Sequence, residues 1–196
     1  MSLHDRIFGH FLASAQLKLD ASEALSPLIE DAAQAIVQCL TQGGKVLACG
    51  NGGSAADAQH FASAMINRFE QERPGLAAVA LTTDSSTLTS IANDFAYEQV
   101  FARQIKALGL PGDVLLAIST SGNSPSVLES VAAAHTRGMV VVGLSGHSGG
   151  HLAEQMHEGD LFICVPSEST ARIQEAHLLI IHCLCDAVDS VLLGVE

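Results

Sequence analysis

The sequence predicts an α/β fold: a parallel sheet covered by helices on both faces, preceded by a helical N-terminal extension. Three observations carry this. Five short apolar runs, at 45–49, 76–82, 113–120, 139–145 and 160–165, are separated by segments with helical spacing. Runs of this length alternating with helices mark βαβ units, whose strands are buried on both faces. The first run, Lys45-Val46-Leu47-Ala48-Cys49, stops at Gly50-Asn51-Gly52-Gly53 and feeds an alanine-rich helix opened by Ser54. The last segment, 170–193, is helical and apolar on most of its circumference, which predicts a helix buried in its own subunit or against another.

Residues 3–42 carry helical periodicity, with Ile7, Phe11, Ala15 and Leu19 on one face and Ile29, Ala33, Ile36, Val37 and Leu40 on another. Ser26-Pro27 predicts a break, with Ser26 as N-cap of a second helix and Pro27 in its first turn. Gly43-Gly44 closes that helix. Further helices are expected at 86–93, 98–108, 124–137 and, briefly, 150–156. No linker, repeat or low-complexity tract divides the chain. The expectation is one domain over 1–196, with N-terminal helices at 1–43 and an α/β core with a long C-terminal helix at 44–196.

Composition narrows the classes. The chain has 196 residues, of which 48% are hydrophobic, 4% aromatic and 15% charged, so its core is aliphatic. The formal net charge of −12 opposes direct nucleic-acid binding, which rests on Lys and Arg neutralising phosphates. The five cysteines (Cys39, Cys49, Cys164, Cys183 and Cys185) are scattered through apolar runs without metal-knuckle spacing, and read as buried free thiols of a reducing compartment. The N-terminus lacks signal-peptide character, and no apolar run is read as a bilayer span. The expectation is a soluble, cytoplasmic protein with no membrane association.

Ligands of open parallel sheets sit outside the carboxyl ends of the strands, at a topological switch point. Three strand ends here carry hydroxyl and amide groups: Asn51-Gly52-Gly53-Ser54, Thr82-Thr83-Asp84-Ser85-Ser86, and Ser119-Thr120-Ser121-Gly122-Asn123-Ser124. Hydroxyls, backbone N–H groups and helix N-termini suit a phosphate monoester. Turn-forming and capping are the competing uses of the same residues. Neither GxxxxGK[ST] nor GxGxxG is present, which disfavours nucleoside triphosphates and dinucleotides.

The pattern CGNGGSAADAQHF, then Ala92-Asn93-Asp94, then GDVLLAISTSGNS, then ARIQEAHLLIIH resembles the sugar isomerase (SIS) domain family. The likeness spans nearly the whole chain and falls on the branch that holds phosphoheptose isomerases and the DnaA initiator-associating protein. It implies a five-stranded parallel sheet in a flavodoxin-like three-layer sandwich, and a homotetramer with ligand sites between subunits. It also implies a sugar-phosphate site formed by Asn51, Gly52, Gly53, Ser54, Arg68, Asn93, Asp94, Ser119, Thr120, Ser121, Ser124 and Gln174. His60, Gln174 and His182 match zinc ligands of the isomerases, and His182 matches their acid.

The sequence departs from the isomerases where their base, a Glu, follows the first histidine by one helical turn. Ala64 stands there, and a methyl group takes no proton from carbon. Asp57, one turn before His60, is placed either to orient that imidazole or to favour the helix dipole. His177 and Glu175 fall on other faces of the helix from His182 and read as structural. The DnaA initiator-associating protein also lacks the Glu, and its helix continues, like this one, as Met65-Ile66-Asn67-Arg68-Phe69-Glu70. The leading expectation is therefore a phosphosugar-binding, catalytically weak scaffold that holds DnaA during replication initiation. The alternative is a phosphoheptose isomerase that converts sedoheptulose 7-phosphate to D-glycero-D-manno-heptose 7-phosphate for lipopolysaccharide.

Overall fold

The structure is a computed structural model and describes residues 1–194. Its elements run in chain order as α1 (Leu3–Thr41), β1 (Val46–Gly50), α2 (Gly53–Ile66), β2 (Ala78–Ala80), α3 (Ser85–Asp94), a 3₁₀ turn at Tyr97–Gln99, α4 (Val100–Leu108), β3 (Val114–Ser119), α5 (Pro125–Thr136), β4 (Val140–Gly146), α6 (Gly150–Glu154), β5 (Leu161–Val165) and α7 (Thr170–Leu193). The five strands pair in parallel in the order β2-β1-β3-β4-β5. The expected sheet is present.

Alternation along each strand assigns its side chains to two cores. Val46 and Ala48 of β1, with Val114, Leu116 and Ile118 of β3, pack beneath α1, α2 and α7. Leu47 and Cys49, with Leu115 and Ala117, pack beneath α4 and α5 on the other face. Both sets are fully buried, which is why β1 and β3 are unbroken apolar runs. At the amino ends of the strands, buried Asp113 accepts hydrogen bonds from the Lys45 and Leu110 N–H groups and pairs with Lys45 Nζ at 2.5 Å. Asp160 does the same for the Val141 and His157 N–H groups. Carboxylates at this edge tie strands together.

The N-terminal break does not occur. Helix α1 is continuous over 39 residues with Pro27 inside it, capped at Ser2 by a box in which the Ser2 hydroxyl and Asp5 carboxylate each accept from the other's backbone N–H. Ser26 is not an N-cap: its hydroxyl donates to the Ser22 carbonyl at 2.6 Å, within the helix. Buried Ala21 and Leu25 before Pro27, and Ala32, Ala33 and Ile36 after it, hold both halves to the core. That packing outweighs the hydrogen bond that Pro27 removes.

Helix α7 has the length and hydropathy of a membrane span, contrary to the expectation that no run reaches that length. Ile173, Ile180, Ile181, Leu184 and Val188 are buried in the first core, however. Two of its buried polar side chains find partners within the fold. Buried His177 donates from Nε2 to the Ser145 carbonyl at 2.9 Å, the structural role expected for it. Asp189 pairs with the buried Arg73.

Candidate functional site

The strand order reverses between β1 and β3, so the loops after these two strands face one another. They form a cavity of about 170 Å³ lined by Asn51, Ser54, Ile118, Ser119, Thr120, Ser121 and Ser124. Asn51 joins the two loops: its amide nitrogen donates to Ser124 Oγ at 2.7 Å and to Ser126 Oγ at 2.8 Å. Its amide oxygen accepts from the Tyr97 hydroxyl at 2.7 Å. Tyr97 and Ser126 were not anticipated; one partner lies 46 positions away and the other beyond the recognised motif.

Both helices that begin at this cavity, α2 and α5, lack a side-chain cap. Their positive dipole ends are therefore open to an anion, although Ser54, Ala55, Val127 and Leu128 already direct their N–H groups to the Asn51, Gly52 and Ser124 carbonyls. Gly52 enters α2 with φ +56°, a conformation that favours glycine. Gly122 (φ +65°) has Gly149 O 1.8 Å from where a Cβ would stand, so no larger residue fits that turn. The cradle is built of dipoles, without Lys or Arg.

The second hydroxyl-rich loop has a different fate. Asp84 caps α3, accepting from the Ser86 and Thr87 N–H groups and the Thr87 hydroxyl. These bonds, chiefly from Thr87, hold its carboxyl below the usual range. A carboxylate of the chain itself occupies that anion position. The loop is a cap.

Helices α2 and α7 run side by side and touch at two matched places. Gly53 lies under Gln174, whose Nε2 is 2.5 Å from the position of a Gly53 Cβ. Further along both helices, His60 Nε2 and His182 Nε2 stand 2.9 Å apart, so one imidazole donates to the other. Phe69 packs against His182 with ring centroids 5.5 Å apart. Burial, and then the neighbouring His60 charge, depress the His182 pKa, with Glu70 opposing them. Its neutral form is favoured, as a proton relay at neutral pH requires.

Among the remaining expected contacts, Asn93 and Asp94 are exposed at the end of α3 and bond each other at 2.9 Å. Arg68 is exposed past the end of α2 and donates to the Glu70 carbonyl. None of the three lines the cavity.

Of the expected zinc ligands, His60 and His182 meet, while the Gln174 amide lies against Gly53. Two nitrogen ligands on one tetrahedral zinc stand about 3.3 Å apart, wider than the His60–His182 separation. Gln174 lies eight residues before His182, about 12 Å along the helix axis, with its amide against Gly53. Among the described residues no three His, Cys, Asp or Glu side chains form a group able to hold a metal ion. Ala64, at the base position, is buried, and its carbonyl accepts from Arg73 Nη2 at 3.0 Å.

The SIS domain model matches residues 10–146. A phosphoheptose isomerase of Thiobacillus denitrificans is 76% identical over the full length of both chains. One of Aromatoleum aromaticum is 60% identical over 100% of this chain and 99% of its own. Among solved structures, the phosphoheptose isomerase of Neisseria gonorrhoeae superposes with a TM-score of 0.92 at 50% identity, covering 96% of this chain and all of the other. That of Francisella tularensis gives 0.94 at 48% identity, covering 97% and 100%. These relatives overturn the expectation of a DnaA-holding scaffold in replication initiation, which rested on Ala64 and the helix following it. Sequence, fold and the paired strand-end loops agree, and the chain belongs to the SIS-domain family, among relatives named as phosphoheptose isomerases.

Proposed function

We propose that this protein is a sugar-phosphate isomerase of the phosphoheptose type, interconverting the ketose sedoheptulose 7-phosphate and the aldose D-glycero-D-manno-heptose 7-phosphate. One observation carries the reading: helix α2 begins at an uncapped hydroxyl-lined cavity and, two turns later, presents His60 to His182. The phosphate would enter between the N-termini of α2 and α5, with Ser119, Thr120, Ser121 and Ser124 donating to its oxygens. The carbon chain would then extend toward the imidazole pair.

The reaction moves one proton between C1 and C2 and another between their oxygens, through an enediol. Two imidazoles sharing a proton suit the oxygen transfer: His182 protonates the carbonyl oxygen as the C–H bond breaks, and His60 returns the pair to its starting state. A charged sugar phosphate does not cross a bilayer, so this reading places the protein with its substrate in the cytoplasm. Self-assembly is part of it. The N-terminal half of α1 exposes Leu3, Ile7, Phe8, Phe11 and Leu12, and an apolar face of this size is covered by another copy of the chain.

The test is conversion of sedoheptulose 7-phosphate by the purified protein, followed by NMR. Turnover is expected, with kcat reduced about 10²–10⁴-fold in His182→Ala. Binding of the sugar phosphate without any turnover, with or without added zinc, would sink the isomerase reading.

A further inference from the structure

An isomerase of this kind needs a base for carbon, and neither Ala64 nor the dipolar cradle supplies one. We propose that Asp57 is that base: a carboxylate on the active face of α2, one turn before His60, with an oxygen buried in the fold and no donor upon it. This rests on the isomerase reading above and assigns its missing catalytic group.

The placement follows from helix geometry. Positions 53, 57, 60 and 64 share one face of α2. Gly53 touches Gln174 of α7 and His60 touches His182 of α7, so Asp57 lies between the two contacts, in the seam of the helices. At a spacing of three residues its Cβ is about 5–6 Å from that of His60. It stands about 4.5 Å along the axis from Ser54 at the cradle. A sugar phosphate held by its phosphate and directed at the imidazoles passes this carboxylate.

The surroundings make it basic. Asp57 Oδ2 is buried with no hydrogen-bond partner, among only a few such atoms in the described residues. Glu175 and Asp189 also keep one buried oxygen without a partner, but Arg172 and Arg73 pair with their other oxygens; Asp113 is engaged by three donors, and Asp160 by two backbone N–H groups and His135. An anion without donors binds a proton more tightly. Burial accordingly raises the Asp57 pKa, with the His60 charge opposing it.

In the step itself, the Asp57 carboxylate forms an O–H bond with the C1 proton of the ketose. The C–H electron pair becomes the C1=C2 bond of the enediol, and the C2 carbonyl pair moves to oxygen, which takes a proton from the imidazole pair. The imidazoles then receive the O1 proton as the C1 carbonyl forms, and Asp57 delivers its proton to C2. No oxidant or reductant is needed.

The experiment compares the unaltered protein, Asp57→Asn and Asp57→Asn/Ala64→Glu with sedoheptulose 7-phosphate in D₂O. Asp57→Asn is expected to lower kcat by about 100-fold or more and abolish deuterium entry at carbon, with thermal transition and sugar-phosphate affinity unchanged. Adding Ala64→Glu is expected to restore part of the rate, since it returns a carboxylate to the same seam. If Asp57→Asn turns over within a few-fold of the unaltered protein, or loses rate only by losing its fold or its ligand, the assignment is wrong and the isomerase reading survives. An inactive unaltered protein overturns both.

Discussion

At His177 a single ring links packing to pH. The imidazole is buried in α7, with Nε2 spent on the Ser145 carbonyl and Nδ1 without a partner. Burial is the larger influence and lowers its pKa from 6.5, with the Ser145 bond opposing. The folded protein therefore resists protonation that the unfolded chain accepts. Where the unfolded state binds more protons, stability falls as pH falls. The contribution of His177 is present above pH 6.5 and is lost progressively as the solution is acidified below that value. Melting curves between pH 7 and pH 5 are expected to show a smaller acid-induced loss for His177→Gln, whose amide can still reach Ser145. The thiols behave likewise at residue scale: burial pushes Cys49 and Cys185 up to about 12, which leaves them unreactive.

Among the elements, the pairing of α2 with α7 sets the spacing of His60 and His182. Arg73, on the segment after α2, fastens the far end of that pair. Its Nη2 and Nη1 donate to the Ala64 and Met65 carbonyls at 3.0 and 2.8 Å, and its Nε meets Asp189 of α7. Both are last-turn carbonyls of α2, which lack intrahelical donors; the Met65 carbonyl also accepts from the Leu76 N–H at 2.9 Å. The ion pair is desolvated, with Arg73 and Asp189 side chains 1% and 4% exposed. Removing one partner of such a pair costs about 3–5 kcal/mol, because the other charge is left buried alone. Arg73→Met is expected to lose that amount in urea unfolding, and Arg73→Met/Asp189→Leu to regain much of it. An equal loss in both variants would show that the carbonyl bonds, rather than the charge, dominate.

For the molecule as a whole, the first half of α1 is a helix without a core of its own. Phe11 and Leu3 are each 73% exposed, and Phe11 borders a cavity of about 510 Å³ closed on its other side by Arg172 and Glu175 of α7. Phe11→Asp places a charge in the apolar face and is expected to lower the assembly state in size-exclusion chromatography with light scattering. Retention of the parental mass would rule this face out as the contact. None of these exposed N-terminal residues belongs to either core, so monomers formed this way are expected to remain folded.

The local patterns of the sequence determined the α/β class, the five strands and the two loops of the cradle, whereas the histidine pair was marked by the family resemblance. Each of those patterns depends on neighbours within one turn or one strand, where periodicity and turn chemistry act directly. Other features depended on groups far apart in the chain. Pro27 reads as a break and becomes helix interior because the core holds both flanks. Thr82–Ser86 and Asn51–Ser54 look alike as loops. Only folding shows that Asp84 fills one helix terminus while the other stays open. Asp57 had two readings as a sequence position. Its buried, undonated oxygen emerges only on folding, because desolvation is set by what packs around a group rather than by what precedes it.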